Sequence, residues 1–124
     1  MQPRILIVED EWLIADLLEQ MLTELGYEVV GPAADVVEAL ALIEERVPDA
    51  AVLDVSLAKG KSFAVADAMR DRGAPFLFLT GHVDGDLPPQ YRSTPLICKP
   101  VLMSDLKAPL AKIAPTDGPV RCDA

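Results

Sequence analysis

Cysteine and histidine are scarce in this 124-residue chain, which has two cysteines and one histidine. Cys98 lies in a predicted strand and Cys122 near the C-terminus, a spacing that fits neither a paired zinc motif nor a disulfide framework. We therefore expect Cys98 to be a packed thiol and Cys122 an incidental one. His82 has no partner at metal-ligand spacing, which favours a gating or packing role over metal binding.

Basic residues and long apolar runs are scarce as well. Eleven Lys and Arg residues stand against twenty Asp and Glu, and the net charge of -9 argues against binding to nucleic acid or to anionic membranes. No apolar run approaches the length of about 20 residues that crosses a bilayer, and residues 1–5 lack the features of a signal peptide. We therefore expect a cytoplasmic protein that binds neither nucleic acid nor membrane.

The chain does have a globular composition, with 51% hydrophobic and 25% charged residues, in a length that suits one domain. Five apolar runs of strand length alternate with segments of helical period, a pattern typical of βα units around a parallel sheet. We place the domain at 1–114 and expect a disordered tail at 115–124. The predicted strands cover 4–8, 27–30, 50–53, 76–79 and 96–98, and the predicted helices cover 11–25, 35–46 and 62–72, with a last helix that begins at a Ser104 cap.

Several local expectations depend on turn residues and on periodicity. Gly31-Pro32 should close the second strand, and Pro109 should kink the last helix or delay its start, because proline has no amide donor. Residues 82–94, which contain Pro88-Pro89, should form a loop with at most a short turn of helix. In the first helix the apolar residues recur at helical spacing, and Trp12 is expected to be a packing residue of that helix.

Polar residues follow four of the predicted strands at the point where each strand ends. Taken one at a time these are ordinary turn or cap residues. Ligands of open parallel sheets, however, bind outside the carboxyl ends of the strands, so the joint placement indicates a single site. The residues are Glu9-Asp10-Glu11 after the first strand, Asp54 after the third, Thr80 after the fourth and Lys99 after the fifth.

Clustered carboxylates repel one another unless a cation intervenes, and Mg²⁺ prefers oxygen ligands from carboxylates, water and phosphate. The acidic residues therefore predict a magnesium site in which Asp10 is a direct ligand and Glu9 a direct or water-mediated one. Asp54 can serve as ligand and also as nucleophile toward phosphorus, because the metal neutralises the charge that would repel a phosphate. Lys99 and the Thr80 hydroxyl would each hold a further phosphate oxygen.

From residue 4 to about residue 114 the sequence resembles the receiver domains of two-component response regulators. The resemblance rests on residues 5–11 (ILIVEDE), residues 52–54 (VLD) with Gly60 in the following loop, residues 79–81 (LTG) and Lys99-Pro100. It implies an α/β, flavodoxin-like fold with a five-stranded parallel sheet in the order 2-1-3-4-5 and helices on both faces.

The same resemblance implies a role for each residue of the site. The Lys99-Pro100 bond would be the family's cis peptide, since cis bonds are essentially confined to X-Pro. We assign Gly81, His82 and Pro100 to gating around the site. The other implied residues are the phosphoacceptor Asp54, the magnesium ligands Glu9, Asp10, Asp54 and the backbone carbonyl of Ser56, and the phosphoryl-binding and switch residues Thr80 and Lys99.

The chain departs from the family at Leu96, where most receivers carry an aromatic residue that rotates inward on activation. The run Phe78-Leu79-Thr80-Gly81 instead resembles the FAT GUY subfamily, which lacks that aromatic residue and has many single-domain members. His82 stands where the subfamily usually has Tyr. Without the aromatic residue another element must carry the signal, and we expect residues 82–94 to change on phosphorylation.

The favoured function is a stand-alone receiver that accepts a phosphoryl group from a histidine kinase or a histidine phosphotransfer protein and catalyses only its own phosphorylation and dephosphorylation. Its output would be contact with an unknown downstream protein, or a role as phosphate relay or sink, and a homodimer is compatible with either. The alternative is a magnesium-dependent phosphohydrolase with an aspartyl nucleophile, but Ser56 stands where a second acid would act as general acid or base. A flavodoxin-like electron carrier is weakened because one Trp, two Tyr and three Phe offer few rings to stack on a flavin.

Overall fold

The computed structural model describes residues 2–81 and 87–115. The predictions for His82, for Cys122 and for the tail beyond residue 115 lie outside the described residues. The helices are α1 (Trp12–Glu24), α2 (Val36–Arg46), α3 (Phe63–Asp71), a short 3-10 helix (Pro89–Tyr91) and α4 (Met103–Ile113), and the strands are β1 (Arg4–Val8), β2 (Glu28–Ala33), β3 (Ala50–Asp54), β4 (Ser56–Leu57), β5 (Gly60–Lys61), β6 (Phe76–Thr80) and β7 (Leu96–Cys98).

Five of the strands form one parallel sheet in the order β2-β1-β3-β6-β7, which confirms the predicted order 2-1-3-4-5. The two remaining strands, β4 and β5, pair with each other in a short antiparallel hairpin between β3 and α3. Every residue of β3 and β6 is buried. This burial on both faces explains why these strands read as continuous apolar runs instead of alternating ones.

Helices cover both faces of the sheet, as predicted, and each strand contributes alternate residues to two apolar cores. On one face α2 and α3 pack against the side chains of Leu6, Leu53 and Phe78. On the other face α1 and α4 pack against those of Val52 and Leu77. Within the described parts of the chain, no helix combines the length and the apolar character that a membrane span requires.

The prediction that Gly31-Pro32 closes the second strand is wrong, because β2 continues through this dipeptide to Ala33. The Gly31-Pro32 bond is cis, and Gly31 has a φ of 98°. A Cβ at Gly31 would meet the Ala33 amide nitrogen at 2.8 Å, so glycine is the residue that this bend accommodates. Because β2 is an edge strand, the missing amide of Pro32 leaves no inner ladder bond unmade.

The last helix, α4, begins two residues earlier than expected. Its N-cap is Leu102, whose amide donates to the Asp105 carboxylate at 3.1 Å, and Ser104 already lies inside the helix. Of the two effects predicted for Pro109, the delayed start is wrong, since α4 runs through Pro109 to Ile113. The kink stays a prediction. Full burial of the neighbouring Leu106 and Leu110 against the sheet offsets the hydrogen bond that proline cannot make.

Two expected packing residues lie at the surface instead. The Trp12 residue is 78% exposed at the start of α1, and Cys98 is exposed on the edge strand β7. The buried face of α1 is formed by Ala15, Leu18, Met21 and Leu22. Because the helix also carries exposed apolar residues, periodicity alone did not tell which side of α1 meets the core.

Candidate functional site

Parallel pairing brings the ends of four strands together at one edge of the sheet. The registers pair Val8 of β1 with Leu53 of β3, and Asp54 of β3 with Leu79 of β6. Thr80 of β6 pairs with Cys98 of β7. The residues that follow these pairs therefore converge, and this edge holds the predicted Glu9, Asp10, Asp54, Thr80 and Lys99.

Three carboxylates form the centre of the site. Glu9, Asp10 and Asp54 each offer one oxygen, and the three oxygens lie within 4.8 Å of one another. Glu9 and Asp54 are almost fully buried, with 2% and 4% of their surface exposed, whereas Asp10 is half-buried. The Asp10 carboxylate accepts the Ala58 amide at 2.6 Å. A cluster of this composition can hold a metal ion, because hard cations prefer carboxylate oxygens.

Lys99 supplies the positive charge that two of these carboxylates need. Its Nζ lies 2.9 Å from Glu9 Oε1 and 2.9 Å from Asp54 Oδ2. Burial lowers the pKa of Lys99, but the hydrogen bonds to Glu9 and Asp54 and the charges of both outweigh it and raise the pKa above its usual value. Lys99 is therefore an ammonium ion at neutral pH.

Glu9 shows the opposite balance between burial and pairing. Burial raises the pKa of Glu9 above its usual value, although the hydrogen bond from Lys99 acts in the other direction. The second Glu9 oxygen accepts the Glu11 amide at 3.1 Å. The site therefore holds a carboxylate whose charge is costly, an arrangement that favours the approach of a cation.

Ser56, on β4, contacts the Asp54 carboxylate. Its amide donates to Asp54 Oδ1 at 3.3 Å, and its hydroxyl accepts from Lys61 Nζ at 2.8 Å. The predicted metal-binding role of the Ser56 carbonyl stays a prediction.

Thr80 ends β6 and Gly81 follows it, at the edge of the sheet that holds the carboxylates. Thr80 is buried at the end of β6, and its carbonyl accepts the Lys99 amide at 2.8 Å. The Lys99-Pro100 bond is cis, as predicted. Gly81 follows Thr80 at an exposed position where a Cβ would meet no atom within 4 Å. The gating roles of Gly81, His82 and Pro100 stay predictions, and His82 lies outside the described residues.

Sequence reasoning missed Tyr91, the most bulky of the fully buried side chains. Its ring stacks on Phe63 and meets Phe76 and Phe78 edge-on, with centroid distances of 5.6 to 6.2 Å. Its hydroxyl donates to the Asp67 carboxylate of α3. The prolines around Tyr91 conceal any periodicity, so the available signal was only an aromatic residue within an otherwise polar segment.

Comparison with known proteins gives one consistent family. The model of the response regulator receiver domain family matches residues 5–108. The transcriptional regulatory protein PdtaR of Mycobacterium tuberculosis is 38% identical over 107 residues, which are 83% of this chain and 52% of PdtaR. The phyllosphere-induced regulator PhyR of Methylorubrum extorquens is 34% identical over 90% of this chain and 43% of PhyR. The chain thus spans about half the length of these curated relatives.

Solved structures agree with the sequence comparison. The solution structure of SdrG from Sphingomonas melonis Fr1 has a TM-score of 0.80 at 42% identity and covers 90% of this chain and 96% of SdrG. The crystal structure of PhyR from Brucella abortus also has a TM-score of 0.80, at 34% identity, and covers 92% of this chain and 48% of PhyR. The likeness to SdrG covers nearly the whole of both chains.

Proposed function

Since the chain belongs to the response regulator receiver domain family, we propose that it accepts a phosphoryl group on Asp54 from a histidine kinase or a histidine phosphotransfer protein. The observation that carries this proposal is the position of the Asp54 carboxylate. It lies at the carboxyl end of β3, beside two other carboxylates and 2.9 Å from the Lys99 ammonium. A nucleophile, a candidate cation site and a phosphate-binding cation thus meet at one point.

The donor set suits Mg²⁺, which Glu9, Asp10, Asp54 and the Ser56 carbonyl would hold. When bound, the metal supplies positive charge that offsets the repulsion between the carboxylates and an incoming phosphate. An Asp54 oxygen forms a bond to phosphorus while the bond from phosphorus to the donor's histidine nitrogen breaks, and the histidine leaves with the electron pair. Lys99 exchanges its carboxylate contacts for a phosphoryl oxygen. The Thr80 hydroxyl donates to another phosphoryl oxygen and so reports the modification to β6.

For output we propose contact between domain 1–114 and a downstream protein in the cytoplasm, or a role as phosphate relay or sink. The names of the relatives support a regulatory role, since PdtaR is called a transcriptional regulatory protein. PhyR from Bartonella quintana, which is 30% identical to this chain, is called an anti-anti-sigma factor. A homodimer is compatible with this output.

Phosphoryl transfer is tested directly with a small donor. Acetyl phosphate with Mg²⁺ is expected to add one phosphoryl group, detected by intact mass, as an acyl phosphate that is stable in acid and lost in base. EDTA should prevent the addition, because the clustered carboxylates then repel the donor. Labelling that survives base, or that proceeds equally in EDTA, would contradict the proposal.

The contacts of Lys99 predict opposite effects of two substitutions on Mg²⁺ affinity. Asp10→Asn removes a charged ligand and should weaken binding by about tenfold or more. Lys99→Ala removes a cation that occupies Glu9 and Asp54, so Mg²⁺ should bind more tightly. Trp12 lines the same groove as Glu9 and Asp10, and its fluorescence provides the titration signal.

Lys107→Ala, at an exposed position on α4, is the matched control for the loss of one lysine and should leave Mg²⁺ affinity unchanged. Weaker binding in Lys99→Ala than in Lys107→Ala would show that Lys99 supports the metal site instead of competing with the metal.

A further inference from the structure

A second ammonium group, that of Lys61, lies on the β4–β5 hairpin that follows β3. Ser56 and Lys61 are directly paired across the β4–β5 hairpin, so their side chains project from the same face. Lys61 Nζ donates to Ser56 Oγ at 2.8 Å. The Ser56 amide in turn donates to Asp54 Oδ1 at 3.3 Å. One residue therefore separates the Lys61 ammonium from the acceptor carboxylate.

Lys61 is linked to Asp54 Oδ1 through Ser56, whereas Lys99 contacts Asp54 Oδ2 directly, and the two lysines have different partners. Lys99 contacts Asp54 Oδ2, is largely buried and shares its charge between two carboxylates. Lys61 is exposed, and in the parts of the chain that the structure describes it forms no ion pair. Its one partner among the described residues, the Ser56 hydroxyl, is neutral, so binding of an anion to the ammonium would break a single hydrogen bond.

We propose that Lys61 is a second phosphate-binding cation, which contacts the solvent-facing oxygens of the phosphodonor and favours donors that carry more negative charge. The inference rests on the proposed role of Asp54 as phosphoacceptor. Because Asp54 is buried, a phosphoryl group approaching it projects its outer oxygens toward solvent, and Lys61 is exposed to solvent. Lys61 thus offsets the net acidity of the site where the donor enters.

Two small donors distinguish an effect of donor charge from a general loss of phosphorylation. With acetyl phosphate, an Asp54 oxygen forms a bond to phosphorus while the bond from phosphorus to the acetyl oxygen breaks, and acetate leaves with the electron pair. With phosphoramidate, whose nitrogen is protonated in the monoanion, an Asp54 oxygen forms the bond to phosphorus while the phosphorus–nitrogen bond breaks, and ammonia leaves with the electron pair. The aspartyl phosphate is the same in both reactions. The acetyl phosphate dianion carries one more negative charge than the phosphoramidate monoanion and should depend more on Lys61.

The test compares initial labelling rates of the full chain with both donors in Mg²⁺. Lys61→Gln should slow labelling by acetyl phosphate about three- to tenfold and labelling by phosphoramidate less than about twofold. Lys61→Arg, which keeps the charge, should restore the rate. The matched control is Lys59→Gln, because Lys59 belongs to the same hairpin turn but faces Asp35, with Nζ 3.7 Å from Oδ2.

Each possible result either supports or overturns the proposed role of Lys61. A loss confined to Lys61→Gln, larger for acetyl phosphate and reduced by added salt, supports the inference. Equal rates in Lys61→Gln and Lys59→Gln, or equal losses with both donors, would overturn it while leaving Asp54 as acceptor. If neither donor labels the unsubstituted protein, the proposed function itself fails, and the inference fails with it.

Discussion

Asp54→Asn is expected to abolish labelling by acetyl phosphate. The amide is nearly isosteric with the carboxylate, so it preserves the packing at the end of β3, but it lacks the charged oxygen that attacks phosphorus. It also removes one of the two carboxylates that hold Lys99. We expect the mass of one phosphoryl group to be absent from the variant at donor concentrations that label the unsubstituted protein fully.

The matched control for this substitution is Asp71→Asn, which makes the same chemical change at an exposed position on α3. It should label at the unsubstituted rate. Full labelling of Asp54→Asn would show that another group, such as Asp10, is the acceptor. Circular dichroism of both variants distinguishes a lost nucleophile from a lost fold.

Tyr91→Ala is expected to produce the largest loss of stability among single substitutions outside the site. The residue is 1% exposed and contacts three phenylalanine rings that join α3 to β6. Removing a buried aromatic ring from a packed core typically costs about 3–5 kcal/mol of unfolding free energy. Tyr91→Phe keeps the ring and removes only the hydrogen bond to Asp67, so it should cost about 1–2 kcal/mol. Urea denaturation of the three proteins measures both differences.

Alkaline titration gives a second measurement on the same pair of proteins. Burial, reinforced by the hydrogen bond to Asp67, raises the pKa of Tyr91 from 10.0 to about 12. Between these values the unfolded chain has lost the phenol proton that the native protein still holds, so stability falls as pH rises. This contribution is complete below pH 10 and absent above pH 12. Tyr91→Phe should therefore lose less stability than the unsubstituted protein over that interval.

For the packing prediction, a cost of Tyr91→Ala below about 1 kcal/mol of unfolding free energy would contradict the account of the buried ring.

The fold was predictable because local pattern and topology agree. Strands that are buried on both faces, such as β3 and β6, read as unbroken apolar runs, and the intervening helical periods leave a parallel sheet as the consistent solution. The site followed from the same fact, since Glu9, Asp54 and Lys99 come directly at the ends of such runs. The residue that directly follows each strand can be read from the sequence itself.

The parts that escaped prediction depend on contacts between distant segments. The exposure of Trp12 depends on which side of α1 the sheet occupies, and a helix with apolar residues on more than one side does not specify this. Tyr91 owes its burial to Asp67 and to rings from α3 and β6. Likewise, the pairing of Lys61 with Ser56 requires the β4–β5 hairpin, whose strands of two residues are too short to leave a periodic signal.

The burial of β3 on both faces affects how the register of this strand is set during folding. A one-residue slip of a strand exchanges its two faces, and in most sheets this is costly because polar side chains would then enter the core. In β3 the residues 50–53 are all apolar, so a slip would bury nothing unsuitable among them. The register of β3 must therefore be set by the aspartates at its two ends, Asp49 and Asp54. Asp49 exchanges two hydrogen bonds with the backbone of Arg4, both of 2.8 Å, and the Asp54 carboxylate lies 2.9 Å from Nζ of Lys99, which follows β7. The contact between Asp54 and Lys99 thus also helps to fix the register of the central strand.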